Sequence, residues 1–440
     1  MSGGARRLAI LAGGGGVPRE IADSAAARGI PVSIVAIDGE ADADFSAYPL
    51  TRVNWGQIGA MLRAMKRARA TELVIVGRVH RPELKGLKPD LGLFRYLPKI
   101  IRIVAAGGDD SVLRRVVRFF EQQGLRVVSP GEAAPELVVR EGPLGSARSG
   151  APDRADIALG YGLVRALGPY DIGQSVIVRA GRIEAVEGAE GTDRMIARAA
   201  KRRATSDSAT STLGGVLVKR SKPAQDMRVD MPVIGPATVD GAKSAGLSGI
   251  AVEAGRVLVA DRRLTASRAD GAAVFVEGVA DSGPETPQDA PPRRFDPRVV
   301  SMPFRCLTRA TPERHAVFDA IKAIAVLDAL DRFDVGRAAV VVRNHVLAVE
   351  AGGEGVEATL ARAAGLRQWA SLTHRRRGIA ALRSMGDLTP AVIERVASAG
   401  YAGIAISDAA ASETALPETI RDANARGIVV ILRADRNAAS

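Results

Sequence analysis

The 440-residue sequence has few of the residues on which several classes of protein depend. Its one cysteine, Cys306, excludes an intramolecular disulfide, and its four histidines are too scattered for a zinc site. No apolar run approaches the roughly 18 residues that indicate a membrane span, and the start of the chain does not resemble a signal peptide. These absences predict a cytoplasmic protein in which any metal chemistry uses carboxylates.

Aromatic side chains are also scarce, at 4% of the chain, whereas basic residues are abundant. The net charge is +12, and only nine of the 61 basic residues are lysines, an arginine bias that a GC-rich genome can also produce. Such a charge suits nucleic acid, a phosphate-rich substrate or an anionic membrane surface. Because the basic runs lack the interleaved aromatic residues of single-strand binders, we expect no nucleic-acid partner and keep one as the alternative.

The chain up to residue 140 alternates apolar runs with helical patterns. Strand candidates lie at 8–11, 31–37 and 72–76, and the segments between them have helical character. This alternation is typical of a parallel sheet with helices on both faces. The pattern therefore predicts an α/β N-terminal domain over residues 1–140.

Four consecutive glycines follow the first strand candidate. The N–H groups of Gly13, Gly14 and Gly15 precede a predicted helix and are candidates for binding a phosphate, although a tight turn without a ligand fits these residues as well. Arg78 and Arg81 follow a later strand, where open α/β sheets bind their ligands. They are candidates for anion binding, with a solvated basic loop as the alternative.

Glycine- and proline-rich segments divide the rest of the chain. Residues 140–156 are predicted to be a linker, and the valine-rich stretch 157–280 predicts a second domain of α+β character. The polar, proline-rich segment 281–294 predicts a flexible linker. A third domain is expected over residues 295–440.

The third domain repeats the second. The segment FDVGRAAVVVRNHVLAVEAGGEGVEATLARAA, residues 333–364, matches YDIGQSVIVRAGRIEAVEGAEGTDRMIARAA, residues 170–200. Two copies do not make a solenoid, so we interpret the third domain as a degenerate internal duplicate of the second. Features that both copies keep are expected to serve the fold, and those that only one keeps are expected to serve the chemistry.

The differences between the copies assign the chemistry to the second domain. Lys219 falls opposite Leu382, and Thr192 falls opposite Val356. The segment KRSKPAQDMRVDMPVIGPATV, residues 219–239, has only a shorter counterpart in the third domain. This segment is therefore the first place to look for catalytic groups.

Polar and apolar residues alternate in the middle of that segment. The alternation predicts an extended strand with Asp226, Arg228 and Asp230 on one face. Carboxylates that hold Mg²⁺ beside cationic groups such as Lys219 and Lys222 are what phosphoryl chemistry requires. A half-buried strand with a solvated face is the alternative interpretation.

An EGTD motif adds further oxygen donors if its loop packs nearby. Glu190 is the third candidate metal ligand, after Asp226 and Asp230. Thr192 and Asp193 are candidates for binding substrate.

Several motifs, in order, resemble the UDP-2,3-diacylglucosamine pyrophosphatase family of the LpxI type. They include LAGGGGVPREIA, GRVHRPELKGLKPD, EAVEGAEGTDRMI and GGVLVKRSKPAQDMRVDMPVIGPATV. The resemblance runs from about residue 7 to 279, and the later residues have no counterpart in a single-copy member. It implies a Rossmann-like N-terminal domain, a catalytic C-terminal domain, a dimeric assembly, and Mg²⁺-dependent hydrolysis of UDP-2,3-diacylglucosamine to UMP and 2,3-diacylglucosamine 1-phosphate (lipid X) in lipid A biosynthesis.

With this resemblance, water is expected to attack the α-phosphorus of the UDP group. The expected catalytic residues are Asp226, Asp230 and Lys222, and the expected Mg²⁺ ligands are Asp226, Asp230 and Glu190. The expected substrate-binding residues are Gly13, Gly14, Gly15, Arg78, Arg81, Thr192, Asp193, Lys219 and Arg228. The basic surface is expected to allow peripheral contact with inner-membrane lipid. The alternative is a non-catalytic protein that binds a UDP-sugar or nucleic acid.

Overall fold

The structure is a computed structural model. It describes residues 6–80, 88–104, 109–205, 213–222, 225–280, 295–370, 376–408 and 417–434. Arg81 and the predicted linker 281–294 lie outside the described residues. Within the described ranges, no helix has both the length and the apolar character that crossing a membrane requires.

The N-terminal domain is a parallel sheet between helices. Its elements are β1 (Leu8–Ala12), α1 (Val17–Ala27), β2 (Val32–Ile37), β3 (Leu50–Val53), α2 (Ile58–Arg67), β4 (Glu72–Val76), α3 (Leu91–Val104), α4 (Asp109–Glu121), β5 (Arg126–Val127) and α5 (Pro130–Ala133). The strand order is β3-β2-β1-β4-β5, with every pairing parallel. Strand β1 is wholly buried because helices cover both faces of the sheet. This order confirms the predicted Rossmann-like, doubly wound domain.

The second domain is built on a mixed sheet. Its elements are β6 (Gly142–Pro143), α6 (Ala151–Leu167), β7 (Ser175–Arg179), β8 (Arg182–Val186), α7 (Thr192–Ala204), β9 (Val216–Lys219), β10 (Val233–Ile234), α8 (Pro236–Ser244), β11 (Gly249–Glu253), β12 (Leu258–Val259), α9 (Arg262–Ala272) and β13 (Phe275–Val279). The main sheet has the order β6-β13-β11-β9-β7-β8, and β10 pairs with β12 in a separate parallel ribbon. Strands β9, β11 and β13 are parallel, while β7 and β8 form an antiparallel hairpin.

The segment 140–156, which its composition predicts to be a linker, forms part of this second domain. Strand β6 pairs with β13, and α6 already begins at Ala151. The N–H of Gly150 donates to the carboxylate of Asp153 over 2.8 Å, and Pro152 lies in the first turn, where proline suits a helix. The glycine and proline thus start a helix here.

The six-stranded sheet of the third domain reproduces that of the second strand for strand. Its elements are β14 (Phe304–Cys306), α10 (Arg314–Leu330), β15 (Ala338–Val342), β16 (His345–Val349), α11 (Val356–Ala370), β17 (Ile379–Leu382), α12 (Pro390–Ser398), β18 (Gly403–Ile406), α13 (Pro417–Ala425) and β19 (Val429–Arg433). The sheet order β14-β19-β18-β17-β15-β16 matches that of the second domain. The internal duplication is thereby confirmed. Among the described residues of this domain, no strand corresponds to β10 or β12.

The two copies share one hydrophobic core. Helices α6 and α10 pack against each other, and each also packs against its own sheet. Side chains such as Leu163 and Val164 of α6 belong to the same buried cluster as Ala323 and Ile324 of α10. The helix pair therefore forms a layer between the two sheets, and separating the copies would expose apolar surface on both.

Candidate active site

Asp226 and Asp230 lie on a single helical turn. The N–H groups of Val229 and Asp230 both donate to the carbonyl oxygen of Asp226 over 3.0 Å. The strand predicted from the alternation is therefore wrong. The alternation has another cause: Val229 and Met231 pack against two different core clusters of the N-terminal domain. Residues four apart on a helical turn share a side, so the two carboxylates still face the same way.

Arg228 folds back onto Asp226 and ties the turn to the N-terminal domain. Its Nε and Nη2 lie 2.9 and 2.7 Å from the two carboxylate oxygens of Asp226, and its Nη1 lies 2.9 Å from Glu121 at the end of α4. The hydrogen bonds from Arg228 hold the pKa of Asp226 below its ordinary value. Asp226 is therefore ionised at neutral pH and can accept a further hydrogen bond.

Gln225 connects this turn to the edge of the second sheet. Its Nε2 donates to Asp230 over 2.7 Å and to the side-chain oxygen of Gln174, just before β7, over 3.3 Å. Its Oε1 accepts from the N–H of Lys222 over 2.8 Å. The ammonium group of Lys222 pairs with Asp171 at 2.8 Å. Asp230 and Lys222 thus belong to one polar network, and the backbone of the turn joins Asp226 to it.

A buried lysine lies at the other end of this network. The ammonium group of Lys219, the last residue of β9, donates to the Thr192 hydroxyl over 3.3 Å and to the Val233 carbonyl over 3.0 Å. The Thr192 hydroxyl donates to Glu187 over 3.1 Å and lies 3.1 Å from the Ser175 hydroxyl. These four polar side chains, of Lys219, Thr192, Glu187 and Ser175, are all buried. We call Lys219, Thr192, Glu187 and Ser175 the lysine cluster.

Burial lowers the pKa of Lys219, and three carboxylates oppose that shift. They are Glu187, Asp193 and Asp230, so the lysine cluster and the Asp226 turn interact electrostatically. Thr192 is the first residue of α7, whose N-terminus carries partial positive charge. A lysine and a helix N-terminus at one place form a suitable binding site for an anion.

Glu190 lies in a different cluster from the other predicted metal ligands. Its carboxylate accepts from Arg198 over 2.5 Å and from Arg362 of the third domain over 3.1 Å. Both of its oxygens are thus engaged by guanidinium groups, and its side chain is only 5% exposed. Because Glu190 pairs with these two arginines in a separate cluster, the structure does not bring the three predicted metal ligands together.

The glycine loop is held by bonds within the N-terminal domain. The N–H groups of Gly13 and Gly14 donate to the carbonyls of Val76 and Arg78 over 2.9 and 2.7 Å, and that of Gly15 donates to Asp42 over 2.6 Å. A Cβ at Gly13 would collide with the Arg78 carbonyl. These glycines allow two strand ends to approach closely, and binding a phosphate would require their N–H groups to change partners. The Arg78 side chain is exposed at this edge.

Sequence reasoning did not select several members of the network. Gln225, Gln174 and Glu187 are not among the candidates that the sequence analysis names. Ser175 falls opposite Ala338 in the repeat, which is the same type of signal that singled out Lys219. A position-by-position comparison of the copies would therefore have found it.

The donors on the Asp226 turn are compatible with Mg²⁺. Nowhere in the described part of the chain do three His, Cys, Asp or Glu side chains gather as a metal site. However, Mg²⁺ commonly uses only one or two carboxylates, together with waters and substrate phosphates. Asp226 and Asp230, beside the amide oxygens of Gln174 and Gln225, form an all-oxygen donor set of this kind.

Comparisons with known proteins connect the chain to one family. The family model for the LpxI N-terminal domain matches residues 7–137. The model for the LpxI C-terminal domain matches twice, at residues 140–277 and 303–431. A protein of Caulobacter vibrioides named UDP-2,3-diacylglucosamine pyrophosphatase LpxI is 37% identical over 274 residues, which cover 62% of this chain and 98% of that protein.

Proposed function

This chain belongs to the LpxI family, and from that premise we propose that it hydrolyses UDP-2,3-diacylglucosamine to UMP and 2,3-diacylglucosamine 1-phosphate, a step of lipid A biosynthesis. The observation that carries the proposal is the polar network between the N-terminal domain and the second sheet. It places Asp230, which shares a helical turn with the ionised Asp226, within electrostatic reach of a buried cation, Lys219, beside a helix N-terminus. These are the groups that hydrolysis of a pyrophosphate needs.

Asp226 orients the attacking water. Its lowered pKa keeps the carboxylate ionised, so it can accept a hydrogen bond from the water while Arg228 holds the carboxylate in place. The water oxygen bonds to the α-phosphorus, and the bond from that phosphorus to the bridging oxygen breaks. The bridging oxygen leaves with the sugar 1-phosphate, and a proton of the water is released to solvent.

Lys219 and Lys222 hold the pyrophosphate. The ammonium group of Lys219 lies beside the hydroxyl of Thr192 at the start of α7. Both donors can therefore turn toward phosphate oxygens, which gain charge as the bond breaks. Lys222, paired with Asp171 and linked through Gln225 to the turn, is the second cation. Asp193, in the first turn of α7, would position rather than neutralise the substrate.

We assign Mg²⁺ to Asp226 and Asp230. When bound, the ion would neutralise charge on the phosphate oxygens. Gln225 donates to Asp230 and so orients that carboxylate within the turn. Arg228 does the same for Asp226.

The test is UMP release from UDP-2,3-diacylglucosamine with Mg²⁺, with and without a chelator. Asp226→Ala is expected to lower kcat by roughly two to four orders of magnitude, because it removes a contact made in the transition state. The matched control is Asp387→Asn, which removes a buried carboxylate of the third domain that pairs with Arg337. The control is expected to stay within about threefold of wild type.

Three results would contradict the proposal. Activity of Asp226→Ala within tenfold of wild type would remove Asp226 from the chemistry. Full activity with the chelator present would remove the metal. Binding of the UDP-sugar without UMP release would support the non-catalytic alternative.

For the diacylated substrate, we propose peripheral contact with anionic lipid on the cytoplasmic side of the inner membrane. Helix α3 exposes apolar side chains, with Leu91 at 86% and Phe94 at 62%, and carries Arg95 among them. Apolar groups beside cations suit the interface of an anionic bilayer. Co-sedimentation with vesicles that contain phosphatidylglycerol is expected to weaken in Phe94→Ser, and unchanged binding would contradict this contact.

A further inference from the structure

We propose that the third domain positions the active-site loop of the second domain, and that Arg362 is the positioning residue. The inference rests on the proposed function. The loop, residues 187–191, lies between β8 and α7, and we call it the α7 loop. It begins at Glu187 and leads into Thr192, both of which belong to the lysine cluster.

Arg362 of α11 reaches across the interface between the copies to Glu190 of the α7 loop. Its Nη1 lies 3.1 Å from one carboxylate oxygen of Glu190, while Arg198 lies 2.5 Å from the other. All three side chains are at least 86% buried. A buried carboxylate needs such partners, because an unpaired charge in this environment is strongly unfavourable.

Backbone contacts place the same loop against the third domain. The N–H of Ala189 donates to the Leu347 carbonyl of β16 over 3.0 Å. Gly188 packs so closely that a Cβ would collide with that carbonyl. From α7, Arg202 donates to the carbonyl of Gly352 in the third domain. The third domain therefore contacts both the α7 loop and helix α7, which follows the loop.

The position of the α7 loop decides the position of the anion site. Residue Thr192 follows Glu190 by two residues, and its hydroxyl bonds both Lys219 and Glu187. A shift of the loop would move the hydroxyl and the N-terminal N–H groups of α7 relative to Lys219. Misplacement by about 1 Å can cost roughly a hundredfold in rate, so a contact remote from the phosphates can control turnover.

The duplication supplies a matched control within the same ion cluster. Glu354 holds the position of Glu190 in the third domain, and Arg362 holds that of Arg198. Arg362 binds Glu354 at 2.7 Å, and Arg198 lies 3.9 Å from it. The loop that contains Glu354 leads into Val356, which is part of an apolar core. Only the Glu190 half of the cluster therefore leads to polar groups.

The experiment compares Arg362→Ala, Arg362→Lys and Glu354→Gln in the full-length protein. Two measurements are made on each variant, UMP release and amide hydrogen exchange in the α7 loop and the first turn of α7. Arg362→Ala is expected to lower kcat about 10- to 100-fold and to speed exchange in the loop about tenfold. Arg362→Lys is expected to restore part of both, and Glu354→Gln to stay within about threefold of wild type.

Equal losses in Arg362→Ala and Glu354→Gln would overturn the proposal, because they would indicate general loosening of the interface. A folded Arg362→Ala with wild-type kcat and exchange would overturn it too. If Arg362→Ala does not fold, Glu190→Gln, which keeps the shape of the side chain, takes its place with the same expected results. If the wild type releases no UMP, the proposed function is wrong, and the exchange rates alone decide whether Arg362 positions the loop.

Discussion

The two copies of the C-terminal domain place different side chains at the same positions of one sheet. In the second domain Ser175 pairs in register with Lys219, and in the third domain Ala338 pairs with Leu382. The position of Thr192 is taken by Val356. Three of the four positions of the lysine cluster are thus part of an apolar core in the third domain, and only Glu187 is kept, as Glu350.

Other polar features are the same in both copies. Asp156 and Asp319 each accept two backbone N–H bonds from the turn of the β-hairpin in their own copy. Glu187 accepts the N–H of Gln174, just before β7, and Glu350 accepts that of Arg337, just before β15, each over 3.2 Å. Both hairpins also carry a bulge at the same position. These features support the backbone, so neither copy can lose them without cost.

The comparison indicates that the fold does not require a buried lysine. A buried ammonium group is unfavourable unless its partners offset the loss of hydration, and the third domain forms the same sheet with leucine in its place. Lys219 is therefore retained at the expense of stability. The proposed contact of Lys219 with the pyrophosphate would explain that cost.

The largest effect is expected from placing a lysine in the third domain. Leu382→Lys would bury an ammonium group among Ala338, Val356 and other apolar side chains. Glu350 occupies the position of Glu187, but without the threonine and carbonyl partners of Lys219 the new charge is expected to lower the free energy of unfolding by about 3 to 5 kcal/mol. Urea unfolding measures this change.

The reciprocal change is the control. Lys219→Leu is expected to leave the free energy of unfolding within about 1.5 kcal/mol of wild type, as for other tolerated substitutions in a core. If Leu382→Lys costs as little as Lys219→Leu, the two environments are equivalent. The comparison between the copies would then fail.

The sequence predicted the architecture more fully than the site. The N-terminal sheet follows from short apolar runs, which are local signals in the sequence. The duplication follows from a long repeat, which a comparison of the chain with itself reveals. The turn at Asp226 could not be predicted in this way, because Val229 and Met231 are apolar for contacts with another domain. Glu190 was assigned to metal for a similar reason: its partner Arg362 is 172 residues away. Contacts between domains leave no pattern in either segment that identifies the partner.

The next effect concerns a carboxylate buried in the third domain. Burial raises the pKa of Asp319 to about 6, against hydrogen bonds from Asn344 and Arg343 and the charges of Lys322 and Arg377. This folded-state pKa lies above the unfolded value of 3.8. The contribution of Asp319 to the free energy of unfolding is therefore fully present below pH 3.8 and is lost as pH rises through about 6. The loss is on the order of 3 kcal/mol at about 1.4 kcal/mol per pKa unit.

Unfolding measured between about pH 4 and 7 tests this dependence. Asp319→Asn has no charge to titrate and is expected to flatten the profile in this window. Its one remaining side-chain oxygen still accepts one of the two backbone N–H groups. Parallel profiles for the variant and the wild type would show that the dependence arises at another group.

The smallest effect is expected from a substitution in the lysine cluster that replaces one hydroxyl with a methyl group. Thr192→Val makes this position of the second domain resemble Val356 of the third, and removes a hydroxyl that binds Lys219, Glu187 and Ser175. Because the shape is nearly kept, α7 is expected to begin at the same residue. Loss of one positioned donor is expected to lower kcat/KM about 10- to 100-fold.

Val356→Thr, the matched change in the third domain, is expected to leave UMP release unchanged, since its surroundings hold no lysine. Equal responses to the two substitutions would mean that the polar groups of the second domain serve its fold, as their apolar counterparts do in the third.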